Sequence, residues 1–139
     1  MSGFSLHFSF DVDLENAVIY EKIHGIWQAK TAQEYHIAFV DEVAPLLGKP
    51  WAKVVNLSNW KTSYPEVTDI IGRHLTWCVK NGLALSLNVL TAQSTNRQLT
   101  EMFAIGATKG LSHIFKSMDE AETFLKQNWI NRSRADQSK

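Results

Sequence analysis

The chain has 139 residues, of which 45% are hydrophobic and 20% are charged. This is enough for one domain with a buried core and too apolar for a disordered chain. Fourteen basic residues balance fourteen acidic ones, which argues against a general nucleic-acid binder. The one cysteine, Cys78, excludes an internal disulfide and a cysteine-based zinc cluster. We expect no signal peptide at the start of the chain, no membrane span and a cytoplasmic location.

The first half of the sequence predicts two strands, a helix and a buried strand. Apolar residues alternate over residues 6–12, and a turn-forming stretch separates them from a second β-rich run, so the two predict an antiparallel hairpin. Thr31 and Glu34 fit a capping box for an amphipathic helix. Gly48 and Pro50 lie where that helix should end. The predicted elements are strands at 6–12, 17–23 and 52–57, a helix at 32–47 and a loop at 58–64.

The second half alternates helices and strands. Pro65 suits the first position of a helix, because its missing N–H costs little there. Thr95 with Gln98 and Ser117 with Glu120 are two further capping boxes, each opening an amphipathic segment. The predicted elements are a helix from Pro65 to the Asn81-Gly82 pair, a strand at 83–90, a helix between Thr95 and Gly110, a strand at 112–115 and a last helix after Ser117.

This order predicts an α/β fold: a single mixed, mostly parallel sheet, with an N-terminal β-hairpin followed by β-α units and four helices. We expect one domain over residues 1–130. Residues 131–139 contain almost no apolar side chain and are expected to form a polar C-terminal tail.

The element order and two short stretches resemble the STAS / SpoIIAA-like superfamily. Val54-Val55-Asn56-Leu57-Ser58 is similar to the central strand of that superfamily, which commonly has the sequence Val-Val-Asp-Leu-Ser. Ser117-Met118-Asp119-Glu120-Ala121 is similar to the stretch that precedes its last helix. The resemblance covers about residues 5–130 and is greatest to the uncharacterised bacterial SpoIIAA-like branch. It implies the fold of anti-sigma-factor antagonists, which is related to lipid-binding CRAL-TRIO domains.

The resemblance also implies a candidate phosphorylation site. The sporulation regulators carry Asp-Ser-x-Gly at the start of the helix after the central strand, and phosphorylation of that serine switches partner binding. Here the corresponding stretch is Thr62-Ser63-Tyr64-Pro65-Glu66, which lacks the aspartate and the glycine. Ser63 is the nearest hydroxyl, and a helix N-terminus favours a phosphate. The alternative is a plain capping or loop serine.

Polar and aromatic residues near the carboxyl ends of the parallel strands form a candidate ligand or partner surface, because ligands of open α/β sheets prefer that edge. Two polar loops lie at that edge, residues 58–63 and 91–96. Neither has a phosphate-cradling glycine run, so two ordinary hydrophilic loops are the alternative. The five tryptophans would mark an interface or an apolar ligand mouth if several were exposed, and core edges otherwise. The candidate residues are Asn56, Ser58, Trp60 and Ser94, together with Trp77, which lies beside the inner face of the second predicted helix.

Histidines and the cysteine offer one further constellation. None of the five histidines has a metal-binding spacing to another. His74 and Cys78 are four residues apart on a predicted helix and should share a face. Such a pair could activate a thiolate, or it could be a core histidine beside an inert buried thiol, which we favour.

The sequence therefore favours a non-enzymatic STAS-like regulatory or protein-interaction module, with a homodimer as one candidate assembly. The absence of familiar catalytic motifs and the tryptophan content are the reasons. The first alternative is a binding module for a small apolar or lipid-like ligand, which the CRAL-TRIO relationship implies. The second is a cryptic enzyme that uses Cys78 and His74. We expect no cofactor, no metal and no nucleic-acid partner.

Overall fold

A computed structural model describes residues 7–60, 65–90 and 110–131. It has an α/β architecture with one five-stranded sheet. The strands are β1 (Phe8–Asp13), β2 (Val18–Gly25), β3 (Trp51–Trp60), β4 (Leu83–Val89) and β5 (Ser112–Phe115), and they lie side by side in that order. β1 pairs antiparallel with β2, and β2 to β5 are parallel to one another. The predicted fold class is confirmed.

The hairpin of β1 and β2 is held at its turn by Asp13. Its carboxylate accepts hydrogen bonds from the backbone N–H of Asn16 at 3.2 Å and from the Asn16 amide at 2.7 Å. Ala17, which follows, takes a left-handed conformation with φ 56°. This local bonding fixes the register in which Phe8 pairs with Ile23, and the hairpin is as predicted.

The helices begin where capping residues place them, with one correction. The first helix is α1 (Ala29–Val43), three residues earlier than predicted. Gln28 is the N-cap and Thr31 is the third helical residue of a reciprocal capping box, so Thr31 is not itself the cap. A 3-10 turn, Ala44–Leu46, contains Pro45 and ends this segment. Pro45 lacks the N–H that a continuing α-helix would need.

Two further helices are described. α2 (Pro65–Lys80) starts at the predicted proline. α3 (Met118–Leu125) has Ser117 as its N-cap, which accepts from the Glu120 N–H at 3.2 Å, and it continues through a π-type turn, Lys126–Ile130. The helix predicted between Thr95 and Gly110 lies outside the described residues. Within the described part of the chain, no helix is long and apolar enough to cross a membrane.

The sheet carries a core on each face. α1 and α2 pack on one face, where Phe39 and Cys78 meet Ile19 and Val55 of the strands. α3 packs on the other face, where Leu125 meets Val18, Val54 and Leu87. Successive residues of β2 and β3 therefore belong to different cores. The indole N–H of Trp129 donates to the backbone oxygen of Asn16 at 2.7 Å and joins the last turn to the hairpin.

Candidate functional site

Two charged residues lie buried beneath α1 and α2. Glu21 on β2 and Lys53 on β3 are 2% and 3% exposed. The Lys53 ammonium lies 3.8 Å from Glu21 Oε2, a separation longer than a direct hydrogen bond. The other carboxylate oxygen, Glu21 Oε1, accepts from the Tyr35 hydroxyl of α1. Burial raises the pKa of Glu21, while Lys53 and the Tyr35 hydroxyl act to lower it.

A line of three side chains runs from this buried pair to the surface. Cys78 Sγ lies 3.6 Å from His74 Nε2, and His74 Nδ1 lies 2.8 Å from His36 Nδ1 on α1. His74 is 2% exposed and Cys78 is fully buried, whereas His36 is only half-buried. Both imidazole nitrogens of His74 are thus engaged, one toward the core and one toward the surface.

The protonation states in this line follow from burial. Burial, with Lys53 and His36 nearby, holds the pKa of His74 well below its usual 6.5. Burial also lowers the pKa of His36. The pKa of Cys78 is raised to about 12, mainly by burial. At neutral pH the line therefore consists of two neutral imidazoles and a thiol, not a thiolate.

A groove opens above this line, between α1 and α2. It has a volume of about 530 Å³, within the range of small-molecule sites. Ile37 lies in it with 70% of its surface exposed, and Arg73 at its rim pairs with Asp69 at 3.1 Å. The lining residues are Gln33, His36, Ile37, Ile70, Arg73, His74 and Trp77.

A second, much smaller cavity lies deeper, between the helices and the sheet. Its volume is about 30 Å³, enough for about two water molecules. Aromatic and aliphatic side chains form most of its wall, together with Lys53, His74 and Asn88. Two polar atoms of wall residues, the indole N–H of Trp60 and the Oδ1 of Asn88, are buried without a hydrogen-bond partner in the described segments.

The residues predicted for a ligand or partner surface do not meet at one place. Trp77 is half-buried in the α1–α2 groove, whereas Trp60 is buried and lines the small cavity. Asn56 belongs to a different groove, on the opposite face of the sheet. Its Oδ1 accepts from the Ser58 N–H at 3.0 Å. Ser63 and Ser94 lie outside the described residues.

One correction concerns the end of the central strand. Residues 58–60 were predicted as the start of a loop, but they continue β3, because Asn59 and Trp60 pair with His24 and Gly25 of β2.

The tryptophans are mostly structural. Trp27, Trp51 and Trp60 are buried, and Trp77 and Trp129 are half-buried, so Trp77 alone belongs to the α1–α2 groove.

The sequence prediction found part of the site and missed part of it. It placed His74 and Cys78 on one helical face, which is confirmed, and it favoured a core histidine beside a buried thiol, which the burial supports. It missed Glu21, Lys53 and the contact of His36 with His74. The available signal for the charged pair was Lys53, a charged residue inside a strand that is mostly apolar, and Glu21, which shares a β-rich run with Val18 and Ile19.

Comparison with known proteins bears on the fold. The structure is similar to the crystal structure of an uncharacterised protein of the DUF3478 family, with a SpoIIAA-like fold, from Shewanella loihica PV-4. The TM-score is 0.59 at 10% sequence identity, over 90% of this chain and 98% of that one. The chain has a SpoIIAA-like fold. No protein-family model matches it, and no curated protein matches it either.

The SpoIIAA-like fold agrees with the resemblance found in the sequence. Val54-Val55-Asn56-Leu57-Ser58 does form part of the central strand, β3, and Ser117 does cap the helix that follows the last strand. At 10% identity the similarity establishes the fold alone, because one fold supports many functions.

Proposed function

We propose that this protein is a non-enzymatic, STAS-like interaction module that associates through the α1–α2 groove, and that the occupant of the groove is a second copy of the chain. The observation that carries the proposal is Ile37, an aliphatic side chain 70% exposed in a groove that also contains Ile70 and Trp77. Apolar residues grouped in one exposed groove are typical of an interaction surface.

Two features favour a second copy. The groove is lined by both an exposed aliphatic side chain, Ile37, and the half-buried ring of Trp77, so two molecules related by a two-fold axis would each place Ile37 in the groove of the other. The chain also has zero formal net charge at neutral pH, so two copies do not repel each other as wholes.

The state of the buried thiol supports a non-enzymatic role. Cys78 is fully buried, and its pKa of about 12 keeps it protonated, unlike the exposed, low-pKa cysteines that act as nucleophiles. The nitrogens of His74 are engaged with Cys78 and His36, so the residue is not positioned to activate a serine hydroxyl.

The structure gives less support to the alternative function, which is binding of a lipid-like ligand. The small cavity of about 30 Å³ is far below the roughly 300 Å³ at which pockets for drug-sized ligands begin. An acyl chain enclosed in the core would need that cavity opened by displacing Trp27 or Trp60, which are buried there, and the larger α1–α2 groove is open to solvent. Native mass spectrometry of freshly purified protein that found a bound lipid would favour this alternative over ours.

The substitution Ile37→Lys tests self-association. We expect the wild-type chain to show a dimer mass at high concentration by size-exclusion chromatography with light scattering, and the variant to be monomeric, because a buried lysine without a partner costs several kcal/mol. The fold should be unchanged, since Ile37 contributes little to the core.

Leu14→Lys is the matched control for that test. Leu14 is also an exposed aliphatic residue, at 64%, but it lies in the hairpin turn away from the groove. It should leave the dimer intact. A wild-type chain that stays monomeric at high concentration, or a dimer that both variants weaken equally, would contradict the proposal.

A further inference from the structure

The three side chains between the groove and the core form a directional hydrogen-bonded line. His36 Nδ1 and His74 Nδ1 face each other at 2.8 Å, so one nitrogen carries the hydrogen and the other accepts it. His74 Nε2 faces Cys78 Sγ at 3.6 Å. A neutral imidazole carries only one hydrogen. If Nδ1 of His74 carries it, Nε2 can only accept a hydrogen bond from the thiol; if Nδ1 accepts a hydrogen bond, Nε2 carries the hydrogen and faces the thiol as a donor.

At neutral pH one arrangement satisfies all three groups. The Cys78 thiol donates to His74 Nε2, His74 Nδ1–H donates to His36 Nδ1, and the remaining hydrogen of His36 lies on its Nε2. In this arrangement the buried thiol has an acceptor. The reverse arrangement would aim the N–H of His74 at a sulfur that still holds its own hydrogen, and sulfur is a weak acceptor.

We propose that His36, His74 and Cys78 form a proton-responsive relay, in which protonation of His36 in the groove reverses the tautomer of His74 and changes the hydrogen bond of the buried Cys78. A protonated His36 donates from both nitrogens, so His74 Nδ1 must accept and its hydrogen must lie on Nε2. The net change adds one proton from water to the line. His36 then carries a hydrogen on both nitrogens, the single hydrogen of His74 lies on Nε2 instead of Nδ1, and Cys78 keeps its own hydrogen.

The groups around the line favour the neutral state until acid is added. The positive charge of Lys53 on β3 acts on His74, and Arg73 of α2 lines the same groove as His36. Tyr35 of α1 packs on the His74 ring and keeps its hydroxyl hydrogen, since burial raises its pKa well above 10. The carboxylate of Glu21 is bonded to that hydroxyl. His36 is the half-buried member of the line, so it is the one that exchanges protons with water.

The relay would also regulate the groove, a consequence that rests on the proposed function. A protonated His36 places a second positive charge beside Arg73 in the same groove. Two copies that meet through this groove would then bring like charges together. Acid would weaken their association while leaving each copy folded.

Nitrogen-15 NMR of histidine-labelled protein tests the relay itself, because the shifts of Nδ1 and Nε2 show which nitrogen carries the hydrogen. Across a titration from about pH 7.5 to pH 4.5, on either side of the usual histidine value of about 6.5, we expect His74 to change from the Nδ1–H to the Nε2–H form together with the protonation of His36. In His36→Phe, which keeps an aromatic ring in that place, His74 should hold a single tautomer over the same range.

His113→Gln is the control, because His113 lies on β5 against Phe124, away from the relay. It should retain the change at His74. A His74 tautomer that is constant while His36 titrates, or that changes equally in His36→Phe, would overturn the relay. Light scattering over the same pH range is a separate measurement: a chain that is monomeric at every pH contradicts the proposed function, and the NMR result still decides the relay.

Discussion

At the scale of single residues, the buried pair of Glu21 and Lys53 is the most consequential feature. Each side chain loses most of its hydration, and the two atoms that would compensate are 3.8 Å apart. Oε2 of Glu21 has no hydrogen-bond partner in the described segments. A pair of this kind contributes little net stability, but removing one member leaves a buried charge without compensation.

Lys53→Met should therefore destabilise the fold strongly. We expect a loss of about 3–5 kcal/mol in the free energy of unfolding at pH 8, measured by urea denaturation. The loss should shrink as the pH falls, since Glu21 can then take up a proton and become neutral. Lys22→Met, on the same strand as Glu21 but exposed, should change stability by less than about 0.5 kcal/mol. Equal effects of the two substitutions would show that the buried pair has no special role.

At the scale of secondary-structure elements, the turn between α2 and β4 depends on Gly82. Its φ is +107°, and a Cβ there would lie 3.0 Å from the backbone oxygen of Lys49 and 3.2 Å from the Trp51 indole. The Trp51 indole N–H also donates to the Asn81 oxygen at 2.9 Å. The turn is thus packed directly on the start of β3, and its position aligns Trp51 with Leu83 across the sheet.

Gly82→Ala separates steric contact from backbone strain when it is compared with Gly48→Ala. Gly48 has a similar φ of +100°, but a Cβ added there would meet nothing within 4 Å, so its substitution should cost only the conformational strain, about 1–3 kcal/mol. Gly82→Ala should cost about 1–3 kcal/mol more, because the methyl group displaces a buried indole and a backbone oxygen. Thermal unfolding of both variants measures the difference, and equal losses would mean that the turn is loosely packed.

The elements also show how far the sequence could determine the structure. The alternation of apolar residues over 6–12 and the proline at 65 are local signals. The first predicted a strand and the second predicted the start of a helix, and both predictions are confirmed. The start of α1 was misplaced because Thr31 takes part in a capping box as its third helical residue, which the pattern Thr-x-x-Glu does not reveal. Residues 58–60 looked like a loop because their strand conformation comes from pairing with β2, a tertiary effect.

At the scale of the whole molecule, the site joins residues that are distant in sequence. His74 and Cys78 were predictable as neighbours because they are one helical turn apart. His36 is 38 residues from His74, and only the packing of α1 against α2 brings their rings together. Glu21 and Lys53 likewise meet through the parallel pairing of β2 and β3. Sequence periodicity indicates which face a residue occupies, but not which residue of another element it meets.

At the same scale, two buried groups, His74 and Glu21, change the free energy of unfolding in opposite directions as the pH changes. The pKa of His74 is lowered in the folded state, so its contribution to stability is present above about pH 6.5 and is lost as the pH falls below that value. The pKa of Glu21 is raised above 4.5, so its contribution is present below 4.5 and is lost as the pH rises. Between these values the two contributions change in opposite directions and partly cancel.

Glu21→Gln should lower stability overall, because it leaves the buried Lys53 without its carboxylate. It should also expose the histidine contribution in the pH dependence, because glutamine keeps an acceptor for Tyr35 and does not titrate. As the pH is lowered from about 6.5 to 4.5, we expect the free energy of unfolding of this variant to fall more steeply than that of the wild-type chain. The measurement is urea denaturation at a series of pH values. His74→Asn should show the opposite behaviour. Its free energy of unfolding should rise relative to that of the wild-type chain on acidification, because the stability lost through His74 is removed and the stability gained through protonation of Glu21 remains. Parallel pH profiles for the three proteins would mean that neither group titrates differently in the folded and unfolded states.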